Sequence, residues 1–307
     1  MTEPITIFRA SSGLNVKVDP TRIRFDPETG VSDMAVAVNI DHDMTGRPSR
    51  RKGYNDTAIT ASCHSLFCEG GDALMVTGTS LCLVAPDLSA YRAIATVTGG
   101  ARVSYVQVAG AIYWTNRFEK GVVSYGANAP WVKGSYYGPT SNRIFSDPPL
   151  GSLLAYFNGR MFIVSGSTLF FSDPYSLNAF DLARGFFQFE DDITMIRPAD
   201  GGMFVGTHGA TWFLQGASPN KFQLVKVSGS PVIRGTDVAV DLSHLGYSDY
   251  IQNRIGEAAM WTGPEGLFLG TGDGQVFNLT KDKLYEHDAM SGASQIINGR
   301  YIVSLAW

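Results

Sequence analysis

Short runs of apolar residues, separated by turns that contain glycine, recur along the chain. The clearest example is residues 155–174, AYFNGRMFIVSGSTLFFSDP, which includes the pair Asn158-Gly159. This pair predicts a tight hairpin turn, because such a turn needs positive φ at both central positions. The apolar residues 161–164 fill both faces, so they predict a strand buried on both sides. A second turn and a third short strand follow, which together predict a small antiparallel sheet.

The same pattern occurs six times in the chain. The copies lie at residues 70–87, 108–126, 155–174, 199–216, 263–280 and 297–307. We expect their turn glycines to be Gly71, Gly110, Gly159, Gly202, Gly266 and Gly299. Repeats of about 40 to 50 residues with several short strands are typical of β-propeller blades. The sequence therefore predicts an all-β fold, a β-propeller of about six degenerate blades.

The last copy has room for only about two strands, whereas a propeller blade normally has four. We expect part of residues 5–54, which include a hairpin, to join residues 295–307 in one sheet. N- and C-terminal strands would then close the propeller. The predicted organisation is an N-terminal extended segment and hairpin over residues 1–54 that completes the last blade, and a propeller over residues 55–307.

The longest interval between copies contains a polar insertion near residues 227–255. An insertion of this length in a compact repeat fold is often functional, and an ordinary loop between blades is the alternative. Tyr247 and Tyr250 in this segment are candidate contacts with a neighbouring subunit. A basic cluster at Arg47, Arg50, Arg51 and Lys52 is the second candidate contact. Contact with DNA and a solvated turn remain open for that cluster.

Composition limits the classes of function. Lys and Arg number 24 against 28 Asp and Glu, which gives a net charge of −4, so no strong basic field exists to hold nucleic acid. Only 17% of the residues are charged, which favours a surface partly covered by neighbouring subunits. Neither a secretory signal nor a run of eighteen apolar residues is found, so we expect no membrane-spanning segment. Three cysteines are too few for a disulfide framework and indicate folding in a reducing cytoplasm.

Candidate catalytic and metal-binding residues have simpler explanations. Asp41 and Asp43 are spaced as in a calcium loop, but Lys52 occupies the position of the required glutamate, and a hairpin turn accounts for the same residues. Cys63 and Cys68 lack a second pair of zinc ligands, so core packing is the preferred interpretation. The histidines are spread over different repeats, and no nucleophile motif is present. We therefore predict no catalytic residues, no metal and no cofactor, and a protein that is not an enzyme.

Two short stretches carry a resemblance to a known family. Residues 39–54, NIDHDMTGRPSRRKGY, are followed by His64, Ser65, Leu66 and Phe67. Residues 169–174, LFFSDP, and the later pair Phe180-Asp181 form a second pattern. With its propeller-like repeats, the chain resembles the β-propeller tail proteins of tailed bacteriophages, especially the nozzle or hub of short-tailed phages.

The resemblance implies a structural virion protein of the tail, assembled in the host cytoplasm. Copies of the chain would form a ring, expected to be a hexamer, below the portal and tail adaptor and in contact with tail-fibre proteins. The ring would bound the channel for genome ejection, and DNA would pass without tight binding. In agreement, a chain with a pI near 5.7 repels phosphates.

The alternative is a glycan-binding or glycan-cleaving β-propeller that acts on cell-surface sugars. Its site would lie at the propeller axis and would use carboxylates and aromatic rings. Candidate residues for such a site are Trp114, Trp212, Trp261, Asp200 and Glu265. The tryptophans lie inside apolar strand runs, which favours a place in the core.

Overall fold

The computed structural model describes residues 10–43, 45–53, 57–136, 142–245, 255–284 and 288–307. Its regular structure there is β-strand, apart from three single-turn 3-10 helices at Pro20–Arg22, Pro219–Lys221 and Leu242–His244. The prediction of an all-β fold is confirmed. The chain divides into two compact units. The larger unit consists of Asp56–Val232 and Gly272–Gly274, and the smaller unit of Met1–Asn55, Ile233–Thr271 and Gln275–Trp307.

The N-terminal part of the smaller unit forms two small sheets. Strands β1 (Ala10–Leu14), β2 (Phe25–Asp26) and β3 (Val31–Met34) form the first, in which β3 is central and β1 runs parallel to it. Strands β4 (Ile40–His42) and β5 (Pro48–Arg50) form an antiparallel hairpin, with Ile40 opposite Arg50. The predicted hairpin in this segment is therefore confirmed.

The larger unit is a succession of antiparallel sheets in which consecutive strands pair. The first sheet contains β6 (Cys63–Glu69), β7 (Asp72–Thr77), β8 (Ser80–Val84) and β9 (Tyr91–Thr96). The second contains β10 (Ser104–Val108), β11 (Ala111–Thr115), β12 (Lys120–Ser124) and β13 (Ala127–Ala129). The third contains β14 (Leu153–Phe157), β15 (Arg160–Ser165), β16 (Thr168–Asp173) and β17 (Ser176–Phe180), and a fifth strand, β18 (Phe186–Gln188), pairs with β16. The fourth contains β19 (Ile193–Ala199), β20 (Gly202–Thr207), β21 (Thr211–Gln215) and β22 (Gln223–Ser228).

Successive sheets of the larger unit pack through their first strands, because β6 contacts β10, β10 contacts β14, and β14 contacts β19. Side chains from facing sheets fill the space between them. Between the third and fourth sheets, for example, Phe162 and Leu169 pack with Met203 and Leu214. Stacked four-stranded antiparallel sheets of this kind are typical of propeller blades.

Turn chemistry explains where the hairpins reverse. Asn158 and Gly159 have φ of 46° and 76°, which confirms the predicted tight turn between β14 and β15. The expected turn glycine Gly202 instead begins β20, and the turn precedes it at Asp200 and Gly201. A Cβ on Gly202 would lie 2.1 Å from the backbone oxygen of Leu214, so close packing of two strands requires this glycine.

The C-terminal part of the smaller unit contains one complete and one incomplete sheet. Strands β23 (Val238–Asp241), β24 (Glu257–Gly263), β25 (Gly266–Gly270) and β26 (Val276–Asn278) form the four-stranded sheet. The sixth repeat forms only the hairpin of β27 (Ser291–Ile297) and β28 (Arg300–Ala306). In the described part of the chain, neither strand pairs with an N-terminal strand, so the expected shared sheet is not found there. Residues 5–9 lie outside the described ranges, and closure by the two chain ends stays a prediction.

Hydrogen bonds connect the N-terminal segment to the C-terminal part of the smaller unit in place of a shared ladder. The Nη2 of Arg300, at the start of β28, donates to the carbonyl oxygen of His42 over 2.7 Å. The backbone N–H of Val16 donates to the carbonyl of Lys283 over 2.9 Å. Both contacts lie within the smaller unit, so the N-terminal segment is held against the strands that follow the predicted insertion.

Candidate interaction surfaces

The β4–β5 hairpin carries the predicted basic contact residues on a fixed base. The carboxylate of Asp41 binds Arg51, with 3.2 Å between Oδ1 and Nε, and Arg300, with 3.5 Å between Oδ2 and Nη1. Arg47, Arg50 and Arg51 are all exposed. The structure therefore places the three predicted arginines on one hairpin, whose base is tied to β28.

The turn of this hairpin uses the carboxylate that suggested a calcium loop. Asp43 accepts hydrogen bonds from the backbone N–H and the hydroxyl of Thr45 (2.8 and 2.6 Å) and from the N–H of Arg47 (3.0 Å). The hydroxyl bond from Thr45 and the backbone bond from Arg47 lower the pKa of Asp43. The hairpin-turn interpretation is thus confirmed, because Asp43 acts as the acceptor of an Asx turn.

A half-buried aspartate holds the first N-terminal sheet to the turn that follows β26. Asp33 accepts from the Nδ2 of Asn15 (2.8 Å) and from the Ser12 hydroxyl, and it pairs with the Nζ of Lys283 at 3.3 Å. Burial alone would raise the pKa of Asp33, but these donors outweigh that effect and lower it. The contact fixes the sheet that precedes the basic hairpin.

Tyr247 and Tyr250, the other predicted contacts, lie outside the described residues. The predicted insertion itself is partly regular structure, because β22 extends into its beginning and β23, the first strand of the next sheet, lies inside it. The structure therefore places the arginines, and the contact role of the two tyrosines stays a prediction.

The second motif of the resemblance has a structural explanation in the larger unit. Asp173, in the S-D-P sequence, pairs with the Nη1 of Arg143 at 2.7 Å, and Asp181 pairs with its Nε at 3.3 Å. The Tyr136 hydroxyl donates to Asp173, which raises the pKa of the tyrosine. The Arg143 guanidinium also lies 4.5 Å from the centre of the Phe145 ring. Both motif aspartates therefore anchor one segment between β13 and β14, of which the structure describes residues 130–136 and 142–152.

Further contacts fix the same segment and leave apolar side chains on its surface. Lys120 and Lys133 donate from Nζ to the carbonyl oxygens of Pro148 and Phe145, respectively. Nevertheless Ile144 is 83% exposed. Sequence reasoning missed Arg143, because its partners lie 30 and 38 residues further along the chain.

The residues considered for an axial glycan site separate into core and surface. Trp114 and Trp261 are buried, which confirms their predicted place in the core, and the indole N–H of Trp114 donates to Asn128 over 2.8 Å. Trp212 is half-buried, and Asp200 and Glu265 are exposed. Trp114 and Trp261 are therefore not available as stacking platforms.

The predicted core position of two cysteines is wrong. Cys63 and Cys68 are exposed on β6, and only Cys82 is buried.

Beside Cys63, the Nδ1 of His64 lies 2.9 Å from the Ser65 hydroxyl, and burial lowers the pKa of this histidine. A bulge in β6 puts the two side chains side by side, with Ser65 at φ 53°. In the ranges that the structure describes, no three His, Cys, Asp or Glu side chains cluster as metal ligands would.

Comparison with known proteins supports the architecture alone. No family model and no curated protein matches the chain. Among solved structures, the extracellular domain of a putative hybrid two-component system from B. thetaiotaomicron is 14% identical, with 82% of this chain and 32% of that chain covered and a TM-score of 0.50. A WD40 domain of Pan2 from Neurospora crassa is 9% identical, with 76% and 68% covered and a TM-score of 0.46. Sqt1 of Saccharomyces cerevisiae is 11% identical, with 78% and 65% covered and a TM-score of 0.43. The stacked four-stranded antiparallel sheets give the chain a propeller-like all-β fold, and the likeness to the first of these structures concerns the fold alone. None of these three structures is described as a phage protein.

In the described residues, no helix is long and apolar enough to cross a bilayer.

Proposed function

We propose that this protein is a structural subunit of a phage tail, of the nozzle or hub type. It forms a ring with other copies of itself, expected to be a hexamer, and contacts the adaptor or portal and the tail fibres. The ring bounds the channel through which the genome leaves, and the subunit has no catalytic role. The observation that carries the proposal is the β4–β5 hairpin, which presents Arg47 and Arg50 to solvent on a base tied to β28.

A fixed hairpin with exposed arginines suits a protein interface. Arginine is enriched at interfaces, where its planar guanidinium binds a carboxylate through two parallel hydrogen bonds. Association is less costly when the contacting element is already ordered, and the links from Arg300 to Asp41 and His42 order this one. The expected partner surface is acidic, which a chain of net charge −4 can itself supply.

The anchored segment 130–152 supports the same proposal. The Arg143 side chain ties it to Asp173 and Asp181, and Lys133 donates to the carbonyl of Phe145 within it. Ile144 stays in solvent, so an apolar side chain is presented beside these contacts. The axial glycan-binding alternative is less well supported, because Trp114 and Trp261 are in the core.

The test is the mass of the protein in solution, measured by light scattering with and without tail components. We expect a defined ring, alone or on the tail, and we expect the double variant Arg47→Glu, Arg50→Glu to stay monomeric. The matched control is Arg117→Glu, Arg184→Glu, which makes the same change in charge at two other exposed arginines and should assemble normally. A monomer under every condition, or equal assembly of the two double variants, would contradict the proposal.

A further inference from the structure

A groove in the larger unit lies between the second and third sheets. It has a volume of about 500 Å³. Tyr113 on β11, Trp131 after β13 and Tyr175 in the turn between β16 and β17 contribute aromatic groups, and the lining contains no charged residue. Residues 130–135, at the start of the anchored segment, form one wall.

Tyr175 occupies an unfavourable backbone conformation at this groove and remains in solvent. Its φ is 55°, in the left-handed backbone region that residues other than glycine and asparagine seldom adopt. Its N–H donates to the carbonyl of Gly159 over 2.7 Å, and a Cβ at Gly159 would lie only 2.8 Å from the tyrosine ring. The ring is nevertheless 85% exposed, so burial in the core does not account for it. A tyrosine ring that stays in solvent beside a groove is available to pack against a ligand.

Trp131 supplies a second and independent observation. Its side chain is 98% buried, with the ring edge-on to Tyr113 and Phe180 at centroid distances of 5.2 and 6.4 Å. Its indole N–H has no acceptor among the described residues. A buried donor without an acceptor is costly, and buried tryptophans usually find one. Since Trp131 lines the groove, this unpaired donor belongs to a residue beside the space that a bound molecule would occupy.

We propose that this groove binds a neutral saccharide. Aromatic rings at Tyr113 and Tyr175 can pack against the C–H faces of a sugar, while the hydroxyls of Ser135 and Ser176 and the amide of Asn178 pair with its hydroxyls. Asn178 is held in place because its Nδ2 donates to the carbonyl of Val132 over 3.2 Å. This site is distinct from the axial one considered above and does not depend on the proposed tail function.

A proline-rich peptide also favours aromatic grooves, but it fits the polar lining less well. Proline lacks a backbone N–H, so such a peptide offers mainly carbonyl acceptors. The oxygens of Ser135, Ser176 and Asn178 would then gain few donors. Sugar hydroxyls both donate and accept, and they satisfy both kinds of group.

The experiment is a screen of the purified chain against a panel of neutral and acidic oligosaccharides and decaproline, followed by titration of the best binder. We expect a neutral oligosaccharide to bind with a dissociation constant on the order of 1 mM or lower, and Tyr175→Ala to weaken it by about tenfold or more. The matched control is Tyr125→Ala, since Tyr125 is exposed, has φ 50° in the corresponding turn between β12 and β13, and does not line the groove.

A second readout does not depend on either variant. The indole N–H resonance of Trp131, assigned from its loss in Trp131→Phe, should shift on titration with the saccharide. Absence of saccharide binding, equal weakening by the two tyrosine variants, an unshifted Trp131 resonance, or selective binding of decaproline would each overturn the proposal.

Discussion

At the scale of single residues, a buried threonine hydroxyl recurs where an inner strand of a sheet ends. Thr115 donates to the carbonyl of Glu119 over 3.0 Å, Thr207 to that of Ala210 over 3.1 Å, and Thr271 to that of Gln275 over 3.3 Å. Each hydroxyl closes the turn that leads into the next strand. In the sequence these threonines follow the first apolar run of the second, fourth and fifth copies, whereas Ser165 takes that place in the third.

This role predicts the effect of Thr207→Val. Thr207 is buried, and its hydroxyl also accepts from the N–H groups of Gly209 and Ala210 over 3.3 and 3.1 Å. Valine preserves the shape but leaves these backbone groups without a partner, so we expect a loss of about 1 to 3 kcal/mol in the free energy of unfolding. Urea denaturation monitored by tryptophan fluorescence measures this change.

The control for this prediction is Thr96→Val at an exposed position of β9. It should change the free energy of unfolding by less than about 0.5 kcal/mol, as is usual for surface substitutions. If both variants lose the same stability, the hydroxyl of Thr207 has no special role in the turn.

At the scale of elements, the hairpins could be predicted from sequence and the long segment between β13 and β14 could not. Asn158-Gly159 specifies its turn through the backbone preferences of two adjacent residues. Arg143 pairs with Asp173 and Asp181, which lie 30 and 38 residues further along the chain, and nothing near Arg143 in the sequence indicates those partners. The basic hairpin was predicted because its turn is local, whereas the groove at Trp131 joins segments from two sheets.

Loss of the Arg143 contacts should release that segment. In Arg143→Ala the carboxylates of Asp173 and Asp181, which are 10% and 4% exposed, lose a cationic partner. Removing one partner of a buried ion pair is strongly destabilising, and we expect a cost of about 3 kcal/mol together with faster proteolysis within residues 130–152.

Two further variants serve as controls. The first tests whether the charge of Arg143 is enough without its planar geometry, and the second tests whether loss of any exposed arginine has the same effect. Arg143→Lys keeps the charge but cannot bind both aspartates through one planar group, so its stability should lie between wild type and Arg143→Ala. Arg184→Ala removes an exposed arginine and should leave proteolysis unchanged. Equal proteolysis of wild type and Arg143→Ala would show that the segment is held by other contacts.

At the scale of the whole molecule, the incomplete sixth sheet raises the question of how the edge of the last sheet is protected. β27 and β28 pair with each other, and the described strands provide no further ladder on the outer side of β28. An unpaired strand edge favours association with another chain, so natural proteins cover or charge such edges. Arg300 and the nearby Asp41 place charge at one end of β28, and the proposed closure would cover the rest.

Closure predicts that removal of residues 298–307 affects the entire chain. The deletion unpairs β27 and removes Tyr301, whose hydroxyl lies 2.9 Å from that of Thr262 and donates to the carbonyl of Thr236 over 2.5 Å. We expect the truncated chain to lose amide hydrogen-exchange protection in β11 and β20 of the larger unit as well as in the smaller unit. Deletion of Trp307 alone, which is 74% exposed, is the control and should leave protection unchanged. If β11 and β20 keep full protection in the truncated chain, the larger unit folds without the C-terminal strands, and closure by the chain ends is not required for its stability.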